Sequence, residues 1–123
     1  MGKVCHIAPA IKLSLVNPQS ESRSVLGKGV ITLMRYVEDE GSLNKAAKKM
    51  DMAYSKAWRI MKNTSEALGC ELVKSVRPKG SVLTEEGKML LELYDKMEAH
   101  LRREADKFFL ELLLQNKIPK DIK

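Results

Sequence analysis

Apolar residues recur at helical spacing in three consecutive stretches of the chain, at about residues 27–40, 43–50 and 54–68. In each stretch they form one stripe beside polar positions, which is typical of an amphipathic helix packed on a core. Ser42 is a favourable N-cap for the second helix, and a tight break at Asp51-Met52 separates that helix from the third. Two helices joined by so short a turn predict a helix-turn-helix.

Alternation of apolar and polar residues, the period of a strand, occurs outside these helices. Residues 11–17 show it up to Pro18, which predicts a half-buried N-terminal strand. Residues 71–76 and 81–83 are the two arms of a predicted β-hairpin around a turn at 77–80. The expected fold class is therefore mainly α with a small β-hairpin wing, a winged helix-turn-helix.

A long C-terminal helix is predicted from about Thr84 to Gln115, because Thr84 can cap it and nothing afterwards breaks it. At the usual rise this helix would be about 48 Å long. Its apolar seam needs a partner. The helix either folds back onto its own domain after a kink near Ala105 or pairs with a second copy of the chain, and we favour the homodimer. The seam consists of Leu90, Tyr94, Met97, Leu101, Ala105, Phe108 and Leu112.

These elements predict one domain with a helical extension. With 123 residues, of which 44% are hydrophobic, the chain is long enough to bury a core. The expected parts are an N-terminal tail over 1–10, a winged helix-turn-helix domain over 11–83, a long dimerisation helix packed on it over 84–116, and a C-terminal tail over 117–123.

The net charge of +6 is concentrated in the middle third of the chain. Residues 42–80 carry a net +6, whereas residues 1–41 carry +1 and residues 81–123 carry −1. A basic block confined to one segment is expected of a surface that binds a polyanion. Lysines are common on any solvated surface, but such a surface would not concentrate them in one segment. The distribution favours nucleic acid as the partner.

The third helix presents a polar, cationic face. Ser55, Arg59 and Lys62 follow an i, i+4, i+7 spacing and therefore share one side of the helix. Such a helix fits the major groove of double-stranded DNA, where Arg, Lys, Ser and Asn side chains can read base edges. A merely solvated face is the alternative, and the basic second helix and hairpin tip argue against it. The predicted DNA-binding residues are Ser42, Asn44, Lys45, Lys48, Lys49, Tyr54, Ser55, Lys56, Arg59, Lys62, Asn63, Arg77 and Lys79.

The expected roles of these residues differ with their position. Lysines of the second helix are expected to contact backbone phosphates, and readout rests mainly on the third helix. Arg77 and Lys79 at the hairpin tip suit a phosphate or minor-groove contact. Trp58 lies one step off the readout face, where it either packs against the hairpin or the first helix or contacts DNA. We favour the packing role.

Several short motifs together resemble a known family. They are Gly41-Ser42-Leu43, Ala46-Ala47, Ala53 to Trp58, Leu68-Gly69, Val76 to Gly80, Val82 to Gly87 and Leu93-Tyr94. Over about residues 11–115 they resemble the N-terminal winged helix-turn-helix domain of the molybdate-responsive (ModE-type) transport regulators. The motifs from Leu68 to Gly87 are shared with the broader LysR-type winged helix, whereas Tyr54 with Ala57-Trp58 points to the molybdate-responsive branch.

This resemblance implies a dimeric transcription regulator whose recognition helix, at about 54–68, and wing, at about 76–80, bind a two-fold operator. It implies that the first and last helices form the dimer interface and that strand 11–17 pairs with the wing. The implied interface residues are Val30, Leu33, Leu90, Tyr94, Met97, Leu101, Phe108 and Leu112.

The sequence departs from the family pattern at three places, one of which is a short wing tip. Ala53 stands where a Ser cap is expected at the start of the third helix. These residues also include no counterpart of the C-terminal molybdate-binding domain of full-length members, so no oxyanion site is carried over. Three alternatives for regulation follow. The regulator senses no effector directly, or a separate protein is its sensor, or an effector acts at the dimer interface.

Other classes of function find less support. No apolar run is long enough to span a bilayer and no secretory signal is present, so we expect a cytoplasmic protein. His6 and His100 have no partner by spacing, so we expect neither an enzyme nor a metal site nor a cofactor. Cys5 and Cys70 are too few for a disulfide framework, and we expect reduced thiols, with a thiol sensor at Cys70 as an alternative.

The strongest competing function is a protein-interaction module that keeps the winged fold and uses the C-terminal helix for assembly. The cationic face of the third helix discriminates between the two, because an interaction module does not need it.

Overall fold

The computed structural model describes residues 6–21, 25–76 and 78–115. The order of its elements confirms the predicted fold class of helices with a small hairpin and a long C-terminal helix. None of the described helices combines the length and apolar content that a membrane crossing requires. The elements are α1 (Lys28–Glu40), α2 (Leu43–Lys49), α3 (Tyr54–Leu68), β1 (Val73–Ser75), β2 (Ser81–Leu83) and α4 (Glu85–Leu114).

The helices begin and end close to the predicted residues because the local capping chemistry lies there. The Ser42 hydroxyl accepts a hydrogen bond from the backbone N–H of Lys45 at 3.2 Å. Gly69 adopts a left-handed conformation at φ 80° and ends α3. Ala53 supplies no side-chain cap, as its methyl group predicts. Between α2 and α3 the chain turns at Asp51, whose φ of 54° is one that Asp tolerates better than most residues.

The core lies where α1, α2 and α3 meet the hairpin and the first part of α4. Ala46, Ala47 and Ala57 are fully buried, and their small side chains let α2 and α3 pack closely. Tyr94 brings α4 onto the core and donates its hydroxyl to the Leu13 carbonyl at 3.0 Å, so the buried hydroxyl is satisfied.

The hairpin is tied to the helices at both ends. β1 and β2 pair antiparallel, with Val73 opposite Leu83. The Ser81 N–H donates to the Gly41 carbonyl at 2.9 Å, next to the end of α1. These contacts place the hairpin beside the helix-turn-helix.

Thr84 fastens the other end of the hairpin to the start of α4. Its N–H donates to the Leu72 carbonyl at 3.0 Å and its hydroxyl donates to the Glu71 carbonyl at 2.6 Å. The same hydroxyl accepts from the Gly87 N–H at 2.9 Å, which confirms Thr84 as the cap of α4.

Two strand predictions need correction. Residues 11–17 form no strand: Leu15 makes an isolated bridge to Leu26, and within the described residues the sheet has only β1 and β2. The implied pairing of 11–17 with the wing is therefore wrong. The first hairpin strand is shorter than 71–76, because the Leu72 N–H donates to the Ser65 hydroxyl at 3.3 Å instead of to a strand.

The chain divides into two compact units. The larger unit, Lys12–Tyr94, contains the core and the hairpin. In the smaller unit, Ile11 lies with Leu101, Ala105 and Phe108 of α4 in an apolar groove. α4 continues without interruption from Glu85 to Leu114, which favours one long helix over a chain that turns back near Ala105.

The residues implied for a dimer interface differ in exposure. Leu33 and Tyr94 pack in this chain's own core and are only 1% and 6% exposed, so they have almost no surface to offer a partner. We therefore remove both from the predicted interface. Val30, Leu90 and Leu112 are half-buried, and Met97, Leu101 and Phe108 are exposed.

Candidate nucleic-acid interface

The outward side of α3 is exposed along its length, as the periodicity predicts. Ser55, Arg59 and Lys62 are all exposed, and Ala57 and Met61 on the other side are buried. The buried side packs into the core with α1 and α2. The backbone beneath the polar side chains is therefore fixed, which a surface that reads a rigid partner needs. Tyr54, Lys56 and Asn63 are exposed beside this face.

The second helix adds further positive charge. Asn44, Lys45 and Lys48 are exposed. The Lys49 Nζ lies 4.0 Å from a carboxylate oxygen of Glu40, an exposed pair that water screens. Ser42 is half-buried, and its oxygen caps α2, so its first role is structural.

The hairpin brings cations to the same domain. Lys79 is exposed at the tip, and Lys74 is exposed on β1. The other predicted tip residue, Arg77, lies outside the described residues. Lys74 belongs to the basic block of the sequence, but only the structure shows that it faces α3 across a cleft.

The cleft separates α3 from the hairpin and has a volume of about 560 Å³. Tyr54, Trp58 and Lys62 lie on its helix side, and Lys74 and Ser75 lie on its hairpin side. Glu66, Cys70 and Glu71 line the part where α3 passes into the hairpin. The cleft thus combines cations, hydroxyls and aromatic rings with two carboxylates near the junction of α3 and the hairpin.

Trp58 is not a core residue. Its side chain is 49% exposed and lines the cleft, and the Lys62 Nζ lies 5.0 Å from the centre of its ring. At this distance the ammonium is attracted to the ring face by a cation–π interaction. The indole therefore lines the cleft on the side opposite the hairpin, and half of its surface is exposed.

Cys70 is half-buried in the cleft wall. Burial raises the pKa of its thiol, and the carboxylates of Glu86 and Glu71 raise this pKa further. The thiolate is the nucleophilic form, so a raised pKa makes the thiol less reactive. A redox-sensing cysteine requires the opposite, which argues against the thiol-sensor alternative. Cys5 lies outside the described residues.

Alkylation of Cys70 by iodoacetamide is expected to be slower than that of a free cysteine at neutral pH. Because the fold favours the protonated thiol, the rate should continue to rise above the ordinary pKa of cysteine. Glu86→Gln removes one of the two nearby negative charges and should lower the pKa, whereas Glu85→Gln should leave the pKa unchanged. The rate against pH is followed by mass spectrometry of the Cys70 peptide. An ordinary or lowered pKa would contradict this account.

The described residues bring together no group of three His, Cys, Asp or Glu side chains that could hold a metal ion. The described side chains of this surface are mainly cations, hydroxyls, two amides and two exposed aromatic rings.

Comparisons with known proteins agree with this geometry. Residues 31–88 match the family model described as bacterial regulatory helix-turn-helix protein, lysR family. No curated protein matches the chain. The matched residues begin within α1 and end within the first turn of α4, so they include α2, α3 and the hairpin.

Solved structures with the same fold include domains crystallised with DNA. The CbnR DNA-binding domain in a DNA complex is 22% identical, with a TM-score of 0.54 over 68% of this chain and 94% of that chain. Full-length CbnR with its target DNA is 23% identical, with a TM-score of 0.52 over 64% of this chain and 27% of that chain. The BenM DNA-binding domain with catB site 1 DNA is 20% identical, with a TM-score of 0.51 over 74% and 95% of the two chains. At these identities the likeness concerns the fold.

Proposed function

We propose that this chain, which carries a LysR-type helix-turn-helix domain over residues 31–88, is a sequence-specific DNA-binding transcription regulator that acts as a homodimer. The observation that carries the proposal is α3, whose inner side is fixed in the core and whose outer side is exposed and cationic. A rigid helix with that face matches the width and chemistry of the DNA major groove.

In the proposed complex α3 enters the major groove and the hairpin reaches the adjacent backbone or minor groove. Base edges are read by Ser55 and Arg59 of α3, together with Tyr54, Lys56 and Asn63 beside them. The exposed lysines of α2 and Lys79 of the hairpin tip contact phosphates, which sets the register on the duplex without reading sequence.

The proposed dimer forms through α4. Met97, Leu101 and Phe108 are separated by four and seven residues, which places them on one side of α4, and all three are exposed. A second copy of the same helix would cover them. Two copies related by two-fold symmetry would bind an inverted repeat. The same seam could serve assembly with a different protein, and the competing interaction module would use it in that way.

Within the LysR-type class we assign the chain to the molybdate-responsive branch, on Tyr54 and Ala57-Trp58. Ala57 is buried against the core, while Tyr54 and Trp58 are exposed beside the cationic face. The pattern therefore supplies one packing residue and two aromatic side chains at the proposed interface. A separate sensor protein or an effector at the dimer interface would provide regulation.

Arg59→Ala is expected to weaken binding to the operator by about 1–3 kcal/mol and to relax the preference at one base position, because Arg59 reads a base edge. Lys48→Ala is the control. It should weaken binding to operator and random DNA by the same factor, because it removes only a phosphate contact. Mobility-shift titrations on both DNAs measure the two effects. If both variants lowered operator and random binding alike, the assigned readout would be wrong. Unchanged DNA binding in both would favour the interaction module.

A further inference from the structure

The cleft between α3 and the hairpin includes residues to which the proposed readout gives no role. Trp58 and Lys74 face each other across it, one from the helix and one from β1. Ser75 and Ser81 add hydroxyl groups on the hairpin side, and Lys62 adds a second ammonium on the helix side. Cations and hydroxyls on two opposing walls form an arrangement suited to a chain of phosphates.

The charge along the cleft is not uniform. Glu66 and Glu71 line the part where α3 passes into the hairpin, and Lys62 and Lys74 line the cleft farther from that junction. A polyanion would be repelled at the acidic end and attracted to the rest. The cleft therefore favours a polyanionic chain that crosses it at the end with Lys62 and Lys74, away from the junction.

The geometry of double-stranded DNA indicates which part of the duplex would lie in the cleft. In a duplex, each sugar–phosphate backbone separates a major groove from a minor groove. If α3 occupies the major groove and the hairpin lies at the adjacent minor groove, one backbone must pass between them. The gap between the two elements is this cleft.

We propose that the cleft binds the sugar–phosphate backbone of one DNA strand, with Trp58 packing its indole on a deoxyribose and Lys74 contacting a phosphate. The proposal rests on the proposed function. Trp58 has half of its surface available, and its ring holds the Lys62 ammonium 5.0 Å away. The cation–π interaction thus pre-orders Lys62 for a phosphate, which lowers the entropy lost on binding. Both contacts are independent of sequence.

Substitutions at the two walls test this assignment. Trp58→Leu is expected to weaken binding to operator and random DNA by the same factor, roughly 5- to 20-fold, which corresponds to about 40–70 Å² of indole surface covered by the deoxyribose at about 25 cal/mol per Å². Lys74→Gln should also weaken binding to both DNAs and reduce the slope of log K against log salt by about one. Lys88→Gln, which removes an exposed lysine outside the cleft, is the matched control and should leave the slope unchanged.

Intrinsic fluorescence gives a second, direct readout, because Trp58 is the single tryptophan of the chain. Quenching of the wild-type protein by acrylamide, a neutral molecule that DNA does not repel, is expected to fall when DNA saturates the protein, since the backbone covers the ring. If Trp58→Leu lowers the thermal midpoint, Trp58→Phe replaces it and should retain most of the affinity.

The outcomes separate this inference from the proposed function. If Arg59→Ala weakens operator binding while the Trp58 and Lys74 variants bind within twofold of wild type and acrylamide quenching is unchanged, the cleft assignment is wrong. The proposed function as a regulator is then unaffected. If the wild-type protein binds no DNA, both are wrong.

Discussion

Phe108→Asp is expected to convert the proposed dimer to a monomer and to weaken operator binding about 10²- to 10⁴-fold. Phe108 is 61% exposed on the seam of α4, where we place the second copy. A carboxylate there would be buried against apolar side chains without a partner, which is unfavourable. The monomer would bind one half-site and lose the effective concentration that links the two halves, which accounts for the size of the loss.

Leu110→Asp is the matched control. Leu110 is also apolar and 55% exposed, but at about 100° per residue it lies on the side of the helix opposite Leu101. Sedimentation or light scattering should therefore show a monomer for Phe108→Asp and a dimer for Leu110→Asp. A wild-type monomer, or a Phe108→Asp variant that stays dimeric, would contradict the α4 interface.

Gly87→Ala is expected to destabilise the protein by about 2–3 kcal/mol, although helix propensity alone predicts a gain of up to about 1 kcal/mol. A Cβ at Gly87 would overlap the carbonyl oxygen of Leu72. That carbonyl also accepts the hydrogen bond from the Thr84 N–H, so it cannot move without loosening the joint between the hairpin and α4. The steric overlap therefore outweighs the gain in helix propensity, and the substitution is expected to lower the free energy of unfolding.

Gly29→Ala separates these two effects. Gly29 is also helical, but a Cβ there would meet nothing within 4 Å, so the substitution should be neutral or slightly stabilising. Thermal or denaturant unfolding measures both variants. If Gly87→Ala were as stable as Gly29→Ala, the close approach of α4 to the hairpin would be wrong.

The helices and the readout face follow from local chemistry, which explains why they could be predicted. Ser42 and Gly69 act within one turn of the helix ends that they define. The shared side of Ser55, Arg59 and Lys62 depends only on the period of a helix. No distant part of the chain is needed for either inference.

Features that depend on distant parts of the chain were missed or wrong. Alternation in residues 11–17 marks an extended segment but does not name its partner, which is Leu26 and not the wing. An apolar position on a helix does not show whether its own core or a second chain covers it, and Leu33 belongs to the core. The cleft arises because Ser65 and Thr84 fix the hairpin beside α3, and this pairing leaves no periodic pattern in the sequence.

The most direct test of the central claim is selection of bound genome fragments by the purified protein at about 150 mM salt, where non-specific binding is already weak. A mobility-shift titration of the best fragment at several salt concentrations follows. We predict an inverted repeat bound at nanomolar strength, with a slope of log K against log salt near −7 for about eight phosphate contacts. Weak, salt-labile binding without a preferred sequence would contradict a sequence-specific dimeric regulator.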